Sequence, residues 1–284
     1  MATSRERRIH LGWMGRGLDA LADVFIGPLR RTFSRLQRLL AFALIVMVTG
    51  VTKAGHGRTV VRDAAVEQIR RAGVGLLPFV GMLSLLAGFV ILGQSVALLR
   101  QFGAEDNLGT VMVVVVFREL APVATALVVL LRVGTATVVE LATMRATGEV
   151  EALEALSIDP VHYLVVPRVI GLAVSVFCLT VYFMIGALAG GYLFCFVEQL
   201  PLSMEDYVNQ LARALTWQDF LLLMLKTSGF GSAIAILTCY QGLSNPLRLE
   251  EVPEAATQAV THCLLFCVVL DVLFLGVFYL VGRV

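Results

Sequence analysis

Charge is scarce in this 284-residue chain: 15% of residues are Asp, Glu, Lys or Arg, against 58% hydrophobic. Mean hydropathy is +0.85. That balance excludes an ordinary soluble domain and makes a polytopic membrane protein the default. Lysine is scarcest, with only Lys53 and Lys226. Neither follows the glycines of a G-x-x-x-x-G-K-[ST] loop, so the chain has no such loop of its own to bind ATP. H-E-x-x-H and G-x-S-x-G are also missing, and His10, His56, His162 and His262 are scattered. The five cysteines, Cys178, Cys195, Cys239, Cys263 and Cys267, all sit in apolar segments. Their odd number argues against a disulfide framework. Cys263 and Cys267, beside His262, read as packed apolar residues, because two thiols in a dry helix lack further metal ligands. No secretory signal is expected, since the first apolar run, 39–51, follows nearly forty residues without a cleavage pattern.

What is present is a series of apolar runs separated by unevenly charged loops. Thirteen of the 22 basic residues precede position 72, which places the N-terminal region in the cytoplasm by the positive-inside rule. The run 39–51 is too short for a ~30 Å hydrocarbon core. Segment 13–52 therefore reads as amphipathic helices at the interface, with a short tilted crossing as the alternative. Five spans follow, at 72–99, 107–131, 169–197, 220–240 and 255–282. The first carries Gly75, Gly81, Ser84, Gly88 and Gly93, small residues suited to close helix packing. Loops 100–107 and 198–219 are poor in basic residues and are expected outside. Segment 132–168, with Arg132, Arg145 and Arg168, is expected inside, so the C-terminus falls outside. The expected fold is an all-α integral membrane protein. Residues 1–71 form a cytoplasmic segment with interfacial or elbow helices, and 72–284 form one transmembrane domain.

Four ionisable residues lie deep in these spans: Arg118, Glu119, Lys226 and Asp271. Charges there are costly and usually functional. Arg118, Glu119 and Pro122 are expected to interrupt the second span near its midpoint. Glu119 with Lys226 and Arg118 with Asp271 is one way to neutralise all four. The group reads either as a polar girdle or hinge beside a substrate cavity, or as a static staple between helices. Segment 149–160 is the second strong feature. Glu149, Glu151 and Glu154 make it acidic, Leu153 and Leu156 share a helical face, and Asp159-Pro160 is expected to end it. A short acidic amphipathic helix in a cytoplasmic loop suits docking into a partner's groove; an ordinary loop helix is the alternative.

Phe-Arg-Glu-Leu-Ala-Pro-Val (117–123), Leu-Arg-Val-Gly-Thr-Ala (131–136), Glu-Leu-Ala-Thr-Met-Arg-Ala-Thr (140–147), Glu-Ala-Leu-Glu-Ala-Leu-Ser-Ile-Asp-Pro (151–160) and Tyr-Leu-Val-Val-Pro-Arg (163–168) follow in order. Together they resemble the MlaE/YrbE permease family, membrane subunits of MCE-associated ABC lipid transporters, over about residues 70–282. Four departures stand out: Leu131 and Ser157 replace usual glycines, Gly148-Glu149 replaces Glu-Gln, and 253–257 is less basic than usual.

The resemblance implies a non-catalytic permease subunit in the bacterial inner membrane that moves phospholipid or related lipid to or from a periplasmic carrier. It implies a homodimer on a cytoplasmic ABC ATPase dimer, beneath a periplasmic MCE hexamer, with a STAS-domain subunit in some systems. ATP and Mg would then be held by the ATPase, with no cofactor in this chain. Segment 149–160 would be the coupling helix, with Glu149, Glu151, Leu153, Glu154, Leu156, Asp159 and Pro160 at the contact. Ile91, Leu98, Leu99 and Phe102 would line the lipid path, with Arg118, Glu119 and Lys226 near the cavity. The rival readings are an ion-coupled secondary transporter of a hydrophobic substrate, a lipid-acting membrane enzyme and a scaffold. No internal repeat supports the first and no catalytic constellation the second.

Overall fold

The computed structural model describes residues 37–50, 52, 58–102, 108–198, 204–244 and 249–281. The chain divides into two units, 1–45 and 46–284. The interfacial helices expected before residue 37 lie outside the described residues. The apolar helix α1, Gln37–Gly50, rises about 21 Å, short of a ~30 Å core.

In the second unit the described elements are all helical, and five helices are long and apolar enough to cross a membrane. The first crossing, Thr59–Gln101, joins α2 (Arg58–Ala72) to α3 (Leu77–Phe102) through a tight turn at Val74–Leu76. α2 is polar at its end, where Glu67 binds both Arg70 and Arg71 at 2.8 Å.

The second helix, α4, covers 108–146 and differs from the expectation in two ways. It is neither broken at Arg118 nor finished at 131. Its backbone widens into π turns at Val113–Leu120 and again at Leu130–Gly134, then continues as Thr135–Ala146. π turns absorb a local mismatch without ending a helix. Arg132 and Glu140 are exposed, so these charges mark where apolar surface ends, not where the helix ends. Arg118 lies only about 12 Å along the axis from Thr110, well short of the midpoint.

Gly148, in the left-handed conformation (φ 79°), closes α4 and opens α5, Glu149–Ala155. α6 covers 161–197, α7 is Met204–Ala214, α8 is Trp217–Ser244 and α9 is Val252–Val281. α6 is the central helix. It packs on α2, α3, α4 and α8, and its Leu172, Leu179 and Phe183 are fully buried with Phe230 and Ile234 of α8. The α3–α6 approach is tight: a Cβ on Gly88 would collide with the Ala187 carbonyl, and one on Gly190 with the Leu85 carbonyl. α7 packs across the start of α4, while α9 contacts α8 and α4.

Candidate functional site

Pro122 has no N–H to offer the Arg118 carbonyl four residues back. Lys226 of α8 takes that place, donating from Nζ to the Arg118 carbonyl at 2.9 Å. The same ammonium pairs with Glu119 at 3.0 Å and Asp271 of α9 at 2.7 Å. Lys226 is 6% exposed, so three oxygens replace the water it has lost. The expected Glu119–Lys226 pair is therefore present. Arg118 pairs instead with Asp219, Nε to Oδ1 at 2.8 Å, while Asp271 goes to Lys226. The reason is placement: Asp219 stands one turn into α8, beside the π turn that carries Arg118.

Sequence reasoning counted Asp219 among outward loop charges and missed it. A signal was there. Thr216-Trp-Gln-Asp219 is a capping box, in which an acidic N3 side chain reaches back to the cap residue. Asp219 Oδ2 accepts from the Thr216 N–H at 2.9 Å and from its hydroxyl at 2.8 Å. Asp219 so caps a helix and holds an arginine at once. The network joins three helices and holds two cations and three carboxylates, one negative charge in excess.

Two cavities flank it. The smaller, about 60 Å³, is lined by Arg118, Glu119, Asp219 and Lys226, with Phe274 and Leu275 among its apolar wall. It has room for a few waters or one compact polar group. The larger, about 420 Å³, lies between α6 and α8 and has no charged residue in its lining. Phe117, Met184, Phe220 and Leu223 belong to both linings. Phe117 precedes Arg118 and Phe220 follows Asp219, so on both helices a shared wall residue is the chain neighbour of a charged one.

The acidic segment is shorter than expected. Its helix is Glu149–Ala155; Leu156 and Ser157 form a turn, with Ser157 at φ 60°. Asp159-Pro160 does not end this helix but starts α6: Asp159 Oδ1 accepts from the Val161 N–H at 3.0 Å, and Pro160 needs no donor at that position. Val150 is buried, Leu153 half-buried and Leu156 exposed; Glu149, Glu151 and Glu154 are exposed. Beneath the hairpin, buried Arg168 of α6 pairs with Glu140 of α4 at 3.0 Å and donates to the Leu164 carbonyl at 2.8 Å.

Of the α3 positions, Ile91, Leu98 and Leu99 line neither cavity. Ile91 and Leu99 are half-buried, Leu98 is exposed and the Phe102 side chain lies outside the description.

The permease family described as "Permease MlaE" matches residues 65–277. A "Probable ABC transporter permease protein" of Rickettsia prowazekii is 34% identical over 75% of this chain and 82% of its own length. The Arabidopsis thaliana "Protein TRIGALACTOSYLDIACYLGLYCEROL 1, chloroplastic" is 30% identical over 75% of this chain and 61% of its own. The "Intermembrane phospholipid transport system permease protein MlaE" of Haemophilus influenzae is 27% identical over 76% and 83%. The five apolar helices and this match lead to one conclusion: the chain belongs to the MlaE permease family and is the non-catalytic, multi-pass membrane subunit of an ABC transporter.

Proposed function

We propose that this subunit moves phospholipid or a related lipid between the bacterial inner membrane and a periplasmic MCE carrier. It works as a homodimer on two cytoplasmic ABC ATPases, with a STAS-domain subunit as a further candidate partner. ATP and Mg belong to the ATPases. The N-terminus is cytoplasmic and the C-terminus periplasmic. One observation carries the reading: an ion-pair network that lines one cavity and backs onto a second, apolar one suits an amphipathic cargo with a polar head and greasy chains. The phospholipid-transport name of the Haemophilus influenzae relative supports it.

In this reading Glu149, Glu151, Leu153, Glu154 and Leu156 dock the ATPase, while Asp159 and Pro160 fix the start of α6. Glu140–Arg168 ties α4 to α6 under that hairpin, so a push on α5 reaches both helices together. Arg118, Glu119, Lys226 and Asp271 tie α4, α8 and α9 beside the cargo, and Ile91, Leu98, Leu99 and Phe102 line its path along α3. The test is reconstitution with the co-expressed ATPase and MCE protein, following labelled phospholipid. Transfer that requires ATP and the ATPase is expected. Transfer that persists without the ATPase would overturn the reading in favour of ion coupling.

A further inference from the structure

We infer that the chamber between α6 and α8 binds one acyl chain of a membrane lipid, within a single copy of the chain and apart from Ile91, Leu98 and Leu99. Its volume, about 420 Å³, falls within the range of ligand pockets, roughly 300–1,000 Å³. Its lining on α6 runs from Phe177 to Leu188, about 16 Å at helical rise. Half of a ~30 Å hydrocarbon core is about the same length, so the chamber has the depth of one leaflet. Trp217 lies in the lining at the α7 end and is 80% exposed, a residue type that settles at the membrane–water boundary.

Burial shows which way the chamber opens. Its floor, Phe117, Met184 and Leu223, is buried, whereas Ile185, Leu221 and Met224 are 57–62% exposed. A buried floor with an exposed apolar rim opens sideways, toward the bilayer. Apolar cavities stay dry, so water does not fill it. The neighbouring medium offers hydrocarbon of matching length.

A chain seated here is separated from the ion-pair network only by the shared wall of Phe117, Met184, Phe220 and Leu223. The chamber is then a lateral station beside the charged cavity. That link to transport rests on the lipid reading above; occupancy by an acyl chain does not.

The experiment uses the full-length chain in phosphatidylcholine nanodiscs doped with a phosphatidylcholine bearing a diazirine near its acyl terminus. After photolysis, adducts are mapped by peptide mass spectrometry. They are expected to favour Phe177 and Val181 over the exposed apolar Leu265, Val269 and Leu273 of α9 by about tenfold, the preference that selective burial of two methylenes gives. Val181→Trp, which fills the chamber, should remove that excess and leave α9 labelling unchanged. The unmodified chain alone decides the matter if the variant fails to fold. Even labelling of both faces overturns the inference, as does efficient Ile185→Cys cross-linking between two copies, which would mean that a second chain covers the face. Chamber labelling without any lipid transfer would spare this inference and sink the proposed function; transfer without chamber labelling would do the reverse.

Discussion

Lys226 shows how one residue can hold a membrane interior together. Its ammonium meets Glu119, Asp271 and the Arg118 carbonyl, so Lys226→Met leaves two half-buried carboxylates without their cation. Because both keep some exposure, the loss falls below the roughly 3–5 kcal/mol of breaking a fully buried pair. Glu119→Gln should cost much less, because Asp271 still faces the ammonium. Thermal unfolding in detergent is expected to rank the two in that order; equal shifts would mean that Asp271 does not share the ammonium. Ser157 sits at φ 60°, in the left-handed region that favours glycine. A non-glycine residue pays roughly 1–2 kcal/mol in that region. Ser157→Val should therefore lower the unfolding midpoint, while Ser157→Gly should hold or raise it. Tyr207 of α7 is buried, and its hydroxyl has no partner among the described residues. Burial holds its phenol above the usual range. Removing an unsatisfied buried hydroxyl while keeping the ring is nearly neutral or favourable. Tyr207→Phe should leave the midpoint unchanged or higher, and a clear drop would reveal a partner.

Among the elements, α6 fixes the arrangement, because α2, α3, α4 and α8 all lean on it. The α3–α6 pair depends on absent side chains. With Gly88 against the Ala187 carbonyl and Gly190 against the Leu85 carbonyl, the two backbones touch. Without a hydrophobic driving force between helices in lipid, such packing is a main source of association. Gly88→Leu should separate the helices and sharply reduce the yield of monodisperse protein in size-exclusion chromatography. Gly276, which has open space around the position of a Cβ, should tolerate Ala in the same assay. The small residues of α3 were legible as a packing face. Their partners on α6 were not, because one sequence does not say which small stripe meets which.

At the scale of the whole molecule, the chain is a subunit that needs a motor. α5 exposes three glutamates, with Leu153 half-buried and Leu156 exposed. Buried Val150 anchors the helix from beneath. Leu156→Glu should therefore leave the fold intact and abolish co-purification of the ATPase. Retention of the ATPase by a folded Leu156→Glu chain would remove the docking role.

The amino-acid order alone determined the number of crossings, the membrane class, the family pattern and the charged residues at 118, 119, 226 and 271. These follow from local hydropathy and from side chains too costly to be incidental in lipid. Only the tertiary structure decided that Asp219, not Asp271, holds Arg118, that α4 runs on to 146, and that Asp159 opens α6. It also set a charged and an apolar cavity back to back. The Arg118–Asp219 pairing across 101 residues depends on how helices rotate and slide against one another, and that is settled by packing rather than by any stretch of chain read on its own.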